Sequence, residues 1–316
     1  MGCHPENDLA RRSHTDSFNQ EPPANVDILW VIDNSPSMRE EQEEVAARFS
    51  EFVSSLEETN IDFHLGVITT DISDGNPDAA KLIGEPNVLT DDMPYYQELF
   101  EERVQVGTGG SMREQGLEAA WRALSEPLVS DANRGFLRED AVLAVVYVSD
   151  EDDCSDRGAL GRDADQSDCY GNKQLLVPVR TYVDAFLAMK QSSDQVLVSS
   201  IVGPRIAQGC DDSVPGERYI EVANNTGGII GDICEQDFTG IMDEMGLSVS
   251  GVRSSFQLTY SPVLTTLEVM VSDRHVIMGE ANGWTYDEDT RYLTFHGDAV
   301  PPRGATVTAS YEIGAS

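Results

Sequence analysis

Residues 33–37 read Asp33-Asn34-Ser35-Pro36-Ser37, a DxSxS pattern at the end of the apolar run VDILWVID. Alternate residues of a loop leaving a strand can face one centre. Asp33, Ser35 and Ser37 then offer one carboxylate and two hydroxyls. An oxygen-only donor set selects hard cations such as Mg²⁺ or Ca²⁺. Two more loops match it. Gly107-Thr108-Gly109-Gly110-Ser111 combines glycines, which let backbone approach an ion, with two hydroxyls. Ser149-Asp150-Glu151-Asp152-Asp153 follows the most apolar run of the chain and places Asp150 as a second carboxylate. Each has a plainer reading: Ser37 and Ser111 as helix caps, and Asp150 as solvated acidity in a chain full of it.

Hydrolytic chemistry is poorly served. The five histidines, His4, His14, His64, His275 and His296, fall outside these loops, and only His64 on a strand could approach them. No HExxH, GxSxG or phosphate-loop pattern occurs. Asp152 or Asp153 could nominally act as a base beside a metal. A second acidic stretch, residues 163–168, could hold Ca²⁺ but lacks the glycine and distal glutamate of an EF-hand loop.

The elements that must position these loops alternate. Apolar, β-branched runs at 26–33, 63–69, 141–149 and 195–202 read as buried strands. Helical spacing is expected over 37–56, where Val45, Phe49, Phe52, Val53 and Leu56 share one face, and over 112–124, 174–189, 217–224 and 238–247. Residues 228–233 add a short strand. Residues 71–92 form a long loop with short edge structure, and 154–172 an acidic insertion. Such alternation predicts a doubly wound α/β domain with a mainly parallel sheet over residues 26–250. In such sheets ligands bind beyond the carboxyl ends of the strands, at a topological switch point. From residue 251 the helical period stops. Strand-like runs at 266–271, 275–278, 292–295 and 305–313, separated by turns, predict a small C-terminal β-sandwich over 251–316. Residues 1–25 are polar and are expected to be a flexible tether.

The segments VDILWVIDNSPSM and AVLAVVYVSDEDDCS resemble the von Willebrand factor type A domain with its metal-ion-dependent adhesion site. The resemblance spans residues 26–247. It implies a Mg²⁺ site (Mn²⁺ or Ca²⁺ as alternatives) formed by Asp33, Ser35, Ser37, Asp150 and one loop-two hydroxyl. Thr108 fits that position by residue type and Ser111 by spacing to Gly116, so both stand. Hydroxyls are neutral ligands, so such a cation stays electron-poor and keeps an open position for a partner's carboxylate. The expected function is metal-dependent adhesion to a protein presenting an acidic residue, without enzymatic activity and as a monomer. The alternatives are an envelope scaffold whose metal serves folding only and, third, a metal-dependent hydrolase. GTGGSMREQGLEAA is also similar to exported bacterial members of the family, many of them lipoproteins.

Charge and cysteines bound the setting. The composition, 40% apolar and 24% charged, is that of a folded protein. Lys and Arg number 21 against 56 Asp and Glu, a net charge of −35, which argues against nucleic acid and anionic membranes as partners. With only Lys81, Lys173 and Lys190 as lysines, the surface suits salty water. No apolar run approaches the roughly 20 residues of a membrane helix. Of five cysteines, Cys154 with Cys169 and Cys210 with Cys234 make two local pairs, one of three possible connectivities, leaving Cys3 over. A zinc site is the weaker reading, because no CxxC occurs. Gly2-Cys3 matches the end of a bacterial lipoprotein signal. The chain is therefore expected to be exported to the bacterial envelope, as an outer-membrane lipoprotein or at the cell surface. It would meet the membrane only through a lipid on Cys3.

Overall fold

The computed structural model describes residues 12–20, 23–59, 61–162, 164–205, 213–302 and 304–313. Its contacts divide the chain into two units, Pro22–Ser250 and Met1–Glu21 with Gly251–Ser316. The first strand, β1 (Ser13–Asn19), belongs to the second of these.

The larger unit is α/β. Its six-stranded sheet is built from β2 (Asn25–Ile32), β3 (Asp62–Thr69), β4 (Leu89–Thr90), β5 (Val142–Ser149), β6 (Val196–Val202) and β7 (Ile230–Asp232). The spatial order is β4-β3-β2-β5-β6-β7, all parallel except the antiparallel edge strand β4. Every residue of β5 and β6 is buried, as a parallel sheet covered on both faces requires. β2 shows how the layers divide. Val26, Ile28, Trp30 and Ile32 enter one core and Leu29 and Val31 the other, following the two-residue alternation of a strand. On the first face Trp30 meets Phe52 and Phe100, with ring centroids 5.2 and 5.4 Å away. That face is covered from α1 (Arg39–Ala47), α2 (Phe49–Thr59), α3 (Tyr96–Val104) and α8 (Thr239–Val249). The other is covered from α4 (Gly116–Ala123), α6 (Val179–Leu187) and α7 (Glu217–Thr226). α5 (Gln166–Gly171) lies in the acidic insertion. The one charged side chain buried within β2, Asp27, accepts from the Arg138 backbone N–H and Nε at 2.6 and 2.7 Å, with the Lys190 ammonium 3.8 Å away. A buried carboxylate is tolerable only with such pairing.

Two expectations are corrected here. The helix expected over 37–56 is two, α1 and α2, divided at Arg48, although its apolar stripe runs on across the break. The helix expected from 112 starts at Gly116, so 107–115 is all loop. The 163–168 stretch, a weak Ca²⁺ candidate by sequence, caps a helix over its described residues. Asp165 accepts from the Asp168 N–H at 3.0 Å and Asp168 from the Asp165 N–H at 3.1 Å, so the two carboxylates form the capping box of α5.

The smaller unit is all β: a four-stranded antiparallel sheet β1-β13-β9-β10 and a three-stranded antiparallel sheet β11-β12-β8. Their ranges are β8 Ser255–Gln257, β9 Glu268–Val271, β10 Arg274–Val276, β11 Gly283–Tyr286, β12 Tyr292–His296 and β13 Thr306–Glu312. Both sheets feed one core, with Val269, Val307 and Ala309 from the first and Trp284, Leu293 and Phe295 from the second. Residues 13–19, expected as tether, are instead an edge strand paired to β13 over seven positions, from Ser13 opposite Glu312 to Asn19 opposite Thr306. Asp16 fixes it. Its carboxylate accepts from Thr259 Oγ1 and Tyr311 OH, each at 2.6 Å, and from the Thr259 N–H at 3.0 Å. Gln20, fully buried, donates to the carbonyls of Arg253 and Pro301. Cys3 lies outside the described residues. No helix among the described residues is long and apolar enough to cross a membrane.

Candidate metal centre

β2 is the central strand from which the chain first winds to β3 and then returns to β5 on the other side. That reversal makes the carboxyl ends of β2 and β5 the switch point of the sheet. Asp33 follows β2 directly, and Ser149-Asp150 ends β5. The Asp33 backbone N–H continues the ladder to the Val148 carbonyl at 2.9 Å, so its side chain is set by the sheet rather than by a free loop.

The Asp33 carboxylate is fully buried. Oδ1 accepts from the Ser35 N–H at 2.7 Å and Oδ2 from Ser149 Oγ at 2.6 Å. The hydroxyls of Ser35 and Ser37 lie 3.3 Å apart, Ser35 buried and Ser37 exposed. Asp33, Ser35 and Ser37 are thus brought together, and the charge of Asp150 acts on Asp33 directly. Loop two is tied on by Gln42 of α1. Its amide donates to the Asp33 carbonyl at 2.8 Å and the Gly107 carbonyl at 3.0 Å, and accepts from the Gly107 N–H at 3.2 Å. The Gly110 N–H donates to the Asn34 carbonyl at 2.9 Å. A Cβ on Gly110 would stand 2.0 Å from Asn34 Oδ1, so a larger residue there would have to displace the Asn34 side chain.

The loop-two side chain that faces Asp33 is one the sequence reading passed over, Glu114. It is completely buried; Thr70 Oγ1 donates to its Oε2, Oε1 has no hydrogen-bond partner by distance among the described residues, and the carboxyl group lies close enough to that of Asp33 to share a proton with it. Cys154 N–H holds the Glu114 carbonyl at 2.6 Å, so the third loop fixes the second. Ser111 Oγ accepts from the Arg113 N–H at 3.0 Å, and Thr108 is half-buried. The signal for Glu114 was a carboxylate just after a glycine-rich loop. It was hidden by placing 112–115 in a helix.

Loop three divides its acids by role. Asp153 accepts from the Leu117 N–H at 3.0 Å, from Ser155 Oγ at 2.7 Å and from Arg218 Nε at 2.9 Å; Asp152 accepts from the Arg218 N–H at 2.9 Å. Both join this loop to neighbouring elements, Asp153 to α4 and α7 and Asp152 to α7. Cys154 and Cys169 form the expected disulfide, with Cα atoms 5.8 Å apart. Cys234 is also disulfide-bonded, and Cys210 lies outside the described residues. The Cys154–Cys169 bridge spans 15 residues next to loop three. Replacing both by serine should cost about 3 kcal/mol in chemical denaturation of the oxidised protein.

Electrostatics favours a cation here. Burial, reinforced by the Asp150 charge and opposed by the bonds from Ser149 and Ser35, raises the Asp33 pKa to about 6. Burial and then the charges of Asp33 and Asp150 raise that of Glu151 to about 7. Burial and then Asp33 push Glu114 well above the ordinary carboxylate range. Groups raised in the folded state bind protons that the unfolded chain has already released. In EDTA the stability owed to these groups should therefore fall as pH rises from about 4 to 7. Melting temperatures in EDTA and in Mg²⁺ across that range check this: the gain from Mg²⁺ should grow toward neutral pH.

The donor set fits a hard cation: oxygens only, with two buried carboxylate oxygens, Glu114 Oε1 and Glu151 Oε2, unsatisfied among the described residues. It is not a ready-made cage. Among the described residues no three His, Cys, Asp or Glu side chains are arranged to hold a metal.

No known protein family and no curated protein matches the chain. Among solved structures it is similar to proximal thread matrix protein 1 from the mussel byssus, at 13% identity and a TM-score of 0.40, over 77% of this chain and 51% of that one. It is also similar to the pilus adhesin SpaC from Lactobacillus rhamnosus GG, at 11% identity and a TM-score of 0.41, over 95% of this chain and 41% of that one. The chain spans about half or less of the length of these structures. Both likenesses are too distant to bear on function.

Proposed function

We propose that the larger unit is a von Willebrand factor type A-like domain and that the protein is an exported, metal-dependent adhesion protein rather than an enzyme. A Mg²⁺-type ion would be held by Asp33, Ser35, Ser37 and Asp150 with an oxygen from loop two. Bound there, the ion supplies one exchangeable position for a carboxylate of a partner protein. The observation that carries the reading is the Asp33 carboxylate, clamped by Ser35 and Ser149 at the switch point with two hydroxyls beside it and further carboxylates facing it. This chain's residues do the positioning: Gln42 and Gly110 hold loops one and two together, and Ser149 aims Asp33.

The envelope location and a lipid on Cys3 are part of the same reading and rest on the sequence alone. One observation favours the scaffold alternative. If Glu114 adds a third carboxylate to the ion, the site carries enough negative charge to satisfy the cation without a partner. Capture from bacterial envelope extracts on immobilised protein, in Mg²⁺ and in EDTA, separates the two. Adhesion predicts a partner retained in Mg²⁺ and released by chelator. Metal binding with no chelator-sensitive capture would favour the scaffold.

A further inference from the structure

Loop two also borders an open cleft of about 320 Å³. Ser111, Arg113, Arg122, Arg157 and Arg162 line it, with Asp74 and Asp156. The chain has 21 Lys and Arg against 56 Asp and Glu, so four guanidiniums around one cleft run against its overall composition.

Their partners leave positive charge over. Arg162 pairs with Asp74 at 2.6 Å. Arg122 and Arg157 share a single carboxylate, that of Glu118, through their Nε atoms at 3.0 and 2.8 Å. Arg113 donates to the Gly161 carbonyl at 3.1 Å and to Gln115 Oε1 at 3.3 Å, and makes no ion pair among the described residues. Asp156 accepts from Gln115 Nε2 at 3.1 Å and the Leu160 N–H at 2.7 Å, both neutral donors, so its charge counts and the four guanidiniums exceed the three carboxylates of Asp74, Glu118 and Asp156 by one. The Arg157 guanidinium lies over the Trp121 ring at 4.6 Å, which holds its planar fork in place before any ligand arrives. Arg113 and Glu114 are neighbours on one loop, so the loop turns a carboxylate toward Asp33 and a guanidinium toward the cleft.

We propose that this cleft is a carboxylate-binding subsite for an acidic peptide segment of the partner. A guanidinium fork suits a carboxylate in bidentate geometry. A segment with two nearby acidic residues would place one on the cation and the other on Arg113 and the Arg122–Arg157 pair. This also accounts for how a chain of charge −35 could take an acidic partner: the four guanidiniums of the cleft lie beside loop two. The two-point grip rests on the adhesion reading above; the cleft itself needs no metal.

The test uses a fluorescein-labelled hexaglutamate peptide and the full chain, with binding read by anisotropy in Mg²⁺ and in EDTA and metal content read separately by equilibrium dialysis. Wild type should bind the peptide. Arg113→Gln, and independently Arg122→Gln, should weaken it about tenfold or more, the scale of a lost charge-assisted hydrogen bond, with metal content unchanged. Arg113→Lys should restore only part of the affinity. Arginine-dependent peptide binding in a protein that takes up no metal would keep the cleft and overturn the adhesion reading. Chelator-sensitive peptide binding indifferent to both arginine substitutions would overturn the cleft and keep the metal site. No peptide binding, or capture of a sulfated glycan in its place, would overturn the proposal.

Discussion

Asp33→Ala is expected to abolish divalent-cation binding while the chain stays folded. Wild type should take up about one Mg²⁺ or Mn²⁺ per chain, as a single oxygen site would. Asp33 is the residue on which the site converges: it is fully buried and clamped from Ser35 and Ser149. Alanine removes both the ligand and the acceptor of those two bonds. Asp33→Asn separates the effects, because an amide oxygen can still accept from Ser35 or Ser149 but carries no charge. Both variants should lose metal, and Asp33→Asn should melt at or above the temperature of wild type in EDTA, since one like charge beside Asp150 and Glu114 is gone. Stoichiometric metal in either folded variant would reject the site. Glu114→Gln should weaken binding about 10–100-fold if its unsatisfied oxygen faces the ion, the range found when a supporting group at a metal site is lost. Ser111→Ala should do little, because that hydroxyl already accepts from the Arg113 N–H.

Removing residues 1–20 is expected to unfold the β unit. That truncation strips β1 from β13 over seven paired positions and takes with it the buried Gln20 amide and the Asp16 carboxylate. Thermal unfolding of the truncated chain should keep the transition of the α/β unit and lose that of the β unit. A fragment of residues 251–316 alone should be unfolded, and a peptide of residues 12–20 added in trans should rescue it. A cooperatively folded 251–316 fragment would show that β1 is dispensable.

Within this strand, Asp16→Ala should cost about 3 kcal/mol, because it leaves Thr259 and Tyr311 without a charged acceptor. Burial acts to raise the Asp16 pKa, but the bonds from Thr259, Tyr311 and His14 together outweigh it and hold it below its ordinary value of 3.8. That stabilisation is therefore complete above pH 3.8 and is lost as pH falls through the lower folded-state value.

The mainly parallel sheet and the candidate loops at its carboxyl edge were legible in the sequence. Apart from Asp27 and Ser149, β2 from Val26 onward and β5 are apolar throughout, as a strand covered on both sides requires, so both were legible as central strands. Asp33, Ser35 and Ser37 were legible because a two-residue spacing after such a strand is a local property. The Cys154–Cys169 pair was legible for the same reason.

What only the tertiary structure decided involves partners far along the chain. β1 is a polar edge strand whose one buried side chain between Ser13 and Asn19 is an aspartate, so no hydrophobic alternation marks it. Its strand character comes from β13 nearly 300 residues away. Glu114 looked like an ordinary helical glutamate. It became a site residue because α4 starts only at Gly116, and because Thr70 and Cys154, from two other loops, hold it against Asp33. Asp152 and Asp153 find their partner in Arg218, 66 and 65 residues downstream. Periodicity and loop motifs depend on neighbours in sequence, whereas burying a charge depends on whichever residue, however distant, supplies the compensating bond.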